Sequence, residues 1–240
     1  MDLGISGRVA VVTAASKGLG FGSALALAAD GAKVTITGRD FATLSEAAAR
    51  IEAETGAAVL AVPGDITDPD EPGRVVAQTL DHFGSVDILV PNAGGPPPTH
   101  ALDVSAEAVH AAIEANLLSA VRLVQAAVGP MRAQRWGRIC CITSVSVVQP
   151  IPTLSLSNLA RVGLYGWAKT AAADLVADGV TLNLACPGSH RTDRMVQLGG
   201  TGRMGDPGDF GRAVAFLCSE PAAFITGTTL VVDGGATLGL

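Results

Sequence analysis

The 240-residue chain contains one tyrosine, Tyr165, four residues before Lys169. On a helix that spacing puts a phenol and an ammonium on one face. Two turns earlier, Ser157 stands four residues before Arg161, the same spacing with different chemistry. A serine hydroxyl is a far weaker acid than a phenol, and a guanidinium keeps its positive charge and does not lend a proton at ordinary pH. Arg161 can still hold hydroxyls and stabilise a developing oxyanion. Which of the two pairs faces the reacting atoms decides between a site that donates a proton through a phenol and one that does not. A third group of residues points to a ligand. In Thr13-Ala14-Ala15-Ser16-Lys17-Gly18-Leu19-Gly20 the glycines let backbone N–H groups approach a pyrophosphate at the positive end of a helix.

These residues need a scaffold, and the chain alternates short β-branched runs with alanine-rich segments. Val9 to Thr13, Lys33 to Thr37, Ala57 to Val62, Val86 to Val90, Arg138 to Thr143, Val180 to Ala185 and Thr229 to Val232 read as strands. Helical patterns begin near Gly18, Phe41, Pro69, Ser105, Leu159 and Pro207. Nearly continuous apolar strands separated by helices imply an α/β protein with a parallel sheet covered on both faces, the Rossmann-like, doubly wound arrangement. Such sheets bind ligands beyond the carboxyl ends of their strands, near the switch point of strand order.

Composition narrows the class. With 48% hydrophobic and 16% charged residues, the chain is expected to form one domain over 1–240 around a single core. The cofactor-binding half is expected over about 1–100, and the active-site and substrate half over about 101–240. A net charge of −6 disfavours a nucleic-acid surface. Met1-Asp2-Leu3-Gly4 lacks a basic leader, and no apolar stretch approaches the roughly 18 residues that would cross a bilayer. A cytoplasmic protein with no membrane contact is expected. The four cysteines, with Cys140 and Cys141 adjacent in a strand and no C-x-x-C spacing, read as core thiols, so no metal site is expected.

The glycine-rich turn resembles the Thr-Gly-x-x-x-Gly-x-Gly loop of the short-chain dehydrogenases/reductases, with Ala14 where that family usually has its first glycine. The resemblance covers nearly the whole chain in order and spacing. Gly64-Asp65-Ile66 matches the segment near the adenine, Asn92-Ala93-Gly94 the family's Asn-Ala-Gly turn, and Asn116 its helix asparagine. Ser144 matches its catalytic serine, and Pro187-Gly188 with Thr192 its nicotinamide and phosphate turn; Val232-Asp233-Gly234-Gly235 is also typical. The pattern is most similar to the 3-oxoacyl-[acyl-carrier-protein] reductase type. It implies strand order 3-2-1-4-5-6-7, a dinucleotide cofactor, a small-molecule carbonyl substrate, and a homodimer or homotetramer. The oligomer would be built on the helices beginning near Ser105 and Leu159 and on the end Thr237-Leu238-Gly239-Leu240. The family positions assign cofactor binding to Thr13, Ser16, Lys17, Gly18, Leu19, Gly20, Arg39, Asp65, Ile66, Asn92, Ala93, Gly94, Arg161, Pro187, Gly188 and Thr192. Where NAD-preferring members carry an acid after the second strand, Gly38-Arg39 stands here. A guanidinium suits the 2′-phosphate of NADP(H), which is therefore the expected cofactor.

Register follows from two fixed points. In the resembled reductases the catalytic tyrosine lies thirteen residues after the serine and thirty before the proline, and both counts land on Ser157. Placing Tyr165 there would need eight residues inserted and eight deleted. The resemblance thus implies Asn116, Ser144, Ser157 and Arg161 as the reaction site, with serine and arginine replacing the family's phenol and amine, and Tyr165 elsewhere. Loss of a general acid costs a rate factor of about 10²–10⁴, so an activated or conjugated carbonyl is the expected substrate, with water or substrate supplying the proton. Space left by the missing ring is bordered by Val145-Ser146-Val147-Val148-Gln149-Pro150-Ile151-Pro152. His190, Arg191, Arg194 and Arg203 lie in the segment that corresponds to the family's substrate lid. They could meet an anionic substrate or the cofactor pyrophosphate, and His190 or His100 could replace the proton donor. Two alternatives stay open: a non-redox dehydratase, cyclase or isomerase, and a catalytically weak cofactor-binding partner subunit.

Overall fold

The computed structural model describes residues 1–238. Its seven strands are β1 (Val9–Val12), β2 (Lys33–Gly38), β3 (Val59–Pro63), β4 (Ile88–Val90), β5 (Gly137–Ile142), β6 (Val180–Pro187) and β7 (Thr229–Val232). They form one parallel sheet, as the pattern of alternating elements predicts, in the order β3-β2-β1-β4-β5-β6-β7 that the family resemblance implies. Around it lie α1 (Gly18–Ala29), α2 (Phe41–Thr55), α3 (Glu71–Phe83), α4 (Ala106–Ile113), α5 (Ser119–Gln134), α6 (Ser155–Leu175), α7 (Asp193–Gln197) and α8 (Pro207–Leu217).

Both faces of the sheet are covered, which is why the strands read as unbroken apolar runs. Successive side chains point to opposite faces. Ala10, Val12 and Cys140 pack with Leu27, Leu44 and Phe210 of α1, α2 and α8. Val11, Leu89 and Cys141 pack with Val75, Leu123 and Leu164 of α3, α5 and α6. All four cysteines are buried free thiols.

Several boundaries differ from the sequence expectation. Helix α6 begins at Ser155, one turn before Leu159, because Ser155 is tied to the strap after β4: its Oγ donates to the Thr99 carbonyl at 2.8 Å. The helix expected from Ser105 does start there, with Ser105 accepting the Ala108 N–H, but a π-helical turn, Glu114–Leu118, separates α4 from α5. As a result the helical run from Ala106 to Gln134 is long and apolar enough to cross a bilayer, contrary to the expectation that no segment comes near that length. Its apolar stripe is spent elsewhere, since Leu123, Ala127 and Met131 are fully buried against the sheet. The alanine stripe of α6 likewise packs inward, with Ala168, Ala172 and Leu175 in the core. Of the C-terminal residues assigned to an oligomer contact, Gly239 and Leu240 lie outside the described residues.

Candidate active site

Strand order reverses between β1 and β4, and the two turns that leave these strands are bolted together. Thr13 Oγ1 donates to the Asn92 carbonyl at 2.7 Å and accepts the Asn92 N–H at 2.8 Å. Asn92 Nδ2 donates to the Ala14 carbonyl at 3.2 Å. Ala14 occupies the left-handed region with φ of 46°, a conformation that costs a residue with a Cβ about 1–2 kcal/mol and that glycine adopts freely. Gly18 opens α1 at φ of 61°. Gly20 answers a different need: a Cβ there would strike the Ala14 carbonyl and sit 2.8 Å from Asn92 Nδ2.

Beyond the carboxyl ends of the strands lies a cavity of about 890 Å³. Of the expected cofactor residues, Ser16, Lys17, Gly18, Leu19, Arg39, Asp65, Ile66, Asn92, Ala93, Gly94, Arg161, Pro187, Gly188 and Thr192 line it. Thr13 and Gly20 do not; they shape the turn from behind. At the distal end Arg39 is exposed. The carboxylate next in sequence, Asp40, is engaged as the cap of α2, where it accepts the Thr43 N–H at 2.8 Å and is held below the usual carboxylate range by that bond. Asp65 accepts from both the backbone N–H and the hydroxyl of Thr67.

The other end of the cavity gathers all four residues expected to do chemistry, Asn116, Ser144, Ser157 and Arg161. Ser144 follows β5 and accepts the Ser146 N–H at 3.1 Å as the cap of a single helical turn. Asn116 sits in the π-helical turn, 3% exposed, and neither its Nδ2 nor its Oδ1 has a hydrogen-bond partner. Ser157 and Arg161, each 6% exposed, come from successive turns of α6. Arg161 donates to the Ile142 carbonyl at 3.0 Å and the Ala93 carbonyl at 3.4 Å, so it spans the ends of β5 and β4. No carboxylate of the described residues lies within ion-pairing distance of it. Burial pushes its pKa down to about 10. The nearby Cys186 thiol offers no counter-charge, because burial pushes it up to about 11. Tyr165 and Lys169, by contrast, are absent from the cavity wall. The tyrosine is half-buried against the core cluster on the α3, α5 and α6 side, and the lysine is exposed beside Gly227.

Residues 13–237 match the family model described as Enoyl-(Acyl carrier protein) reductase. The 3-oxoacyl-[acyl-carrier-protein] reductase of Escherichia coli (strain K12) is 37% identical over 246 residues, covering 97% of this chain and 98% of that protein. The chain belongs to the short-chain dehydrogenase/reductase family. The corresponding reductase of Synechocystis sp. is 35% identical, with 98% of both chains covered. Among solved structures, L-sorbose reductase from Gluconobacter frateurii, complexed with NADPH and L-sorbose, superimposes with a TM-score of 0.95 at 30% identity and full coverage of both chains. These relatives are oxidoreductases.

In this family member the segment after β6, which borders the cavity, carries a helix that the sequence does not announce. Only five residues long, α7 is started by Thr192, whose side chain accepts the Met195 N–H. Lys17 at the entry to α1 pairs with Asp193 at 3.2 Å, linking lid to phosphate turn. Arg194 reaches back to donate to the Pro96 carbonyl. The other lid charges have their own partners or point away: Arg191 pairs with Asp206 at 2.7 Å, and Arg203 is exposed outside the cavity. His190 borders the cavity but is 4% exposed, its Nδ1 3.1 Å from the Gly188 carbonyl and its ring edge-on to Phe210. His100 is exposed and off the cavity wall. The eight-residue loop after Ser144 divides in the same way. Val145, Gln149 and Ile151 line the cavity, whereas Val148, Pro150 and Pro152 face solvent.

Proposed function

We propose that this chain is an NADP(H)-dependent oxidoreductase that acts on a carbonyl made reactive by conjugation or by a neighbouring acyl group, such as a 3-oxoacyl compound, at a site with an altered proton donor. The fit to the cofactor rests on orphaned groups. The hydroxyl of Thr37 and both side-chain polar atoms of Asn116 are buried in the cavity wall without a hydrogen-bond partner, and the buried guanidinium of Arg161, bonded only to two carbonyls, lacks a counter-charge. Polar hydroxyls and amides of a bound dinucleotide would supply them. Gly18 and Ser16 would hold the pyrophosphate, Arg39 the 2′-phosphate, Asp65 and Ile66 the adenine end, and Arg161 the nicotinamide ribose. NADPH-bound L-sorbose reductase and an NADP-bound 3-oxoacyl reductase from Agrobacterium tumefaciens C58, 28% identical with a TM-score of 0.90, favour the same cofactor.

When bound, NADPH supplies the hydride. Asn116, Ser144 and Arg161 surround the place where the carbonyl oxygen gathers negative charge, and fixed donors in a site shielded from water stabilise such charge without reorganising. Ser157 orients the oxygen or a bound water. The proton comes from water rather than from a phenol. The observation that carries this reading is the pairing of Ser157 and Arg161 in the cavity wall beside Ser144, with Tyr165 outside it. We further take residues 1–240 as one domain, its cofactor half over about 1–100 and its active-site half over about 101–240. Exposed Leu159 and Val162 on α6 suit a homodimer or homotetramer contact.

The test follows NADPH absorbance with diketones, quinones and β-ketoacyl thioesters beside a simple ketone. Activated acceptors are expected to turn over about 10²-fold or more faster than the simple ketone. Absence of turnover with every acceptor, despite cofactor binding, refutes the reading. Arg39→Ala is expected to weaken NADPH about 5–10-fold and leave NADH unchanged, because the lost charge-assisted bonds act at an exposed site. Equal loss for both cofactors removes Arg39 from the 2′-phosphate.

A further inference from the structure

The cavity carries more positive charge at its reaction end than carbonyl reduction requires. Arg161 forms part of the floor, and Arg194 projects from the lid helix onto the strap that follows β4. Gly95 permits this approach: a Cβ there would lie 3.3 Å from Arg194 Nη2 and 3.5 Å from its Nε. One N–H of Arg194 is spent on the Pro96 carbonyl, and no acid of the described residues pairs with it. The neighbouring carboxylate, Asp193, is taken by Lys17, and Asp206 by Arg191. The two guanidinia lie close enough that Arg194 adds to the depression of the Arg161 pKa. Two like charges facing one cavity without a counter-ion are a standing cost that an anion would remove.

The location selects which anion. A dinucleotide pyrophosphate belongs at the start of α1, where Lys17 and Gly18 stand. Arg194 reaches the opposite wall, the Gly95–Pro98 strap, which continues through the Thr99–Leu154 bridge to the apolar residues Ile151, Leu154 and Leu156. A strap that carries a guanidinium with N–H groups to spare and runs on into an apolar wall fits a compact molecule with one anionic end.

We propose that the substrate is an oxo acid whose own carboxylate pairs with Arg194, making Arg194 a specificity-determining residue. This rests on the reading of the site as a carbonyl reductase. In the reaction the C=O π bond breaks, a C–H bond forms with hydride from NADPH, and the oxygen takes a proton from water, yielding a hydroxy acid and NADP⁺.

The experiment compares benzoylformate with its methyl ester, which share the aryl ketone framework and differ by the negative charge; the ester has the more electrophilic ketone, so binding rather than rate carries the comparison. Their binding to the NADP⁺-loaded protein is measured by calorimetry, and their reduction by NADPH absorbance. The acid is expected to bind at least tenfold more tightly than the ester, with the ratio falling at high salt. Arg194→Gln is expected to bring the ratio within about twofold, and Arg194→Lys to keep part of it. An acid that binds no better than the ester, or a preference untouched by Arg194→Gln, overturns the proposal. So does a variant that loses NADPH affinity while keeping the acid preference, since Arg194 would then serve the cofactor. Failure of the carbonyl-reductase reading gives a different signature: neither compound is reduced, whatever the binding ratio.

Discussion

Replacing Arg161 by methionine separates the charge of this residue from its volume. The drop of its pKa from the ordinary guanidinium value to about 10 means that the folded protein holds the guanidinium at a cost of about 3 kcal/mol relative to water. Against this stand its bonds to the Ile142 and Ala93 carbonyls, worth about 1.5–3 kcal/mol each for a charged donor. The two bonds together outweigh the penalty by at most about 3 kcal/mol, so Arg161→Met is expected to change stability by no more than that. Breaking a buried, paired charge costs about 3–5 kcal/mol instead. The pH dependence carries the sign. The folded pKa lies below the unfolded one, so the penalty is fully present below pH 10 and fades as pH rises through 10 toward the unfolded value, where the folded protein releases the proton first. Urea unfolding of wild type and variant from pH 6 to 9 should therefore give a constant difference, and above pH 10 the wild type should gain on the variant. The same substitution is expected to abolish carbonyl reduction. A loss of more than about 4 kcal/mol at pH 7, or a difference that shrinks on acidification toward pH 5, would mean that a carboxylate compensates Arg161 and that its charge is not free for a ligand.

Two further perturbations address the site and the turn that holds it. Ser157→Tyr combined with Arg161→Lys places a phenol and an amine at the reaction end, and the rate on a simple ketone is expected to rise by about 10²–10⁴; an unchanged rate would deny that the missing acid limits the reaction. Ala14→Gly relieves a left-handed alanine at the mouth of the cavity, and thermal unfolding should show a gain of up to about 1 kcal/mol once the extra chain entropy of glycine is deducted; a loss would mean that the alanine methyl packs.

Most of the fold was legible because parallel strands covered on both faces leave an unmistakable apolar run. The cavity was legible because phosphate turns need glycine at defined places. Residues such as Arg39, Asp65 and Ser144 fall where the order of the elements puts them, at strand ends. What escaped was set by tertiary contact. Nothing in Asp193-Arg194-Met195-Val196-Gln197 marks a helix as short as α7, which is started by the Thr192 cap and touched by Lys17 from 176 positions away in sequence. The early start of α6 depends on Thr99, and the π-helical turn on the way two helices meet. Thr13 and Gly20, which sequence places only in a phosphate turn, also have a bracing part that sequence does not reveal: one ties β1 to β4 and the other makes room for that brace.

The same distinction explains why a Tyr-x-x-x-Lys spacing is poor evidence by itself. Any helix that passes the cavity presents several i, i+4 pairs, and only the turns nearest the strand ends line it. On α6 those turns hold Ser157 and Arg161, the latter fixed by carbonyls at the ends of both β4 and β5. Tyr165 lies one turn further along the helix, and its packing against the core cluster follows from that step alone. For Tyr165 to take the catalytic place, α6 would have to slide by about two turns, or about 12 Å, toward the cavity. Such a slide would pull Ala168, Ala172 and Leu175 out of the core and carry Ser157 and Arg161 past the strand ends into solvent.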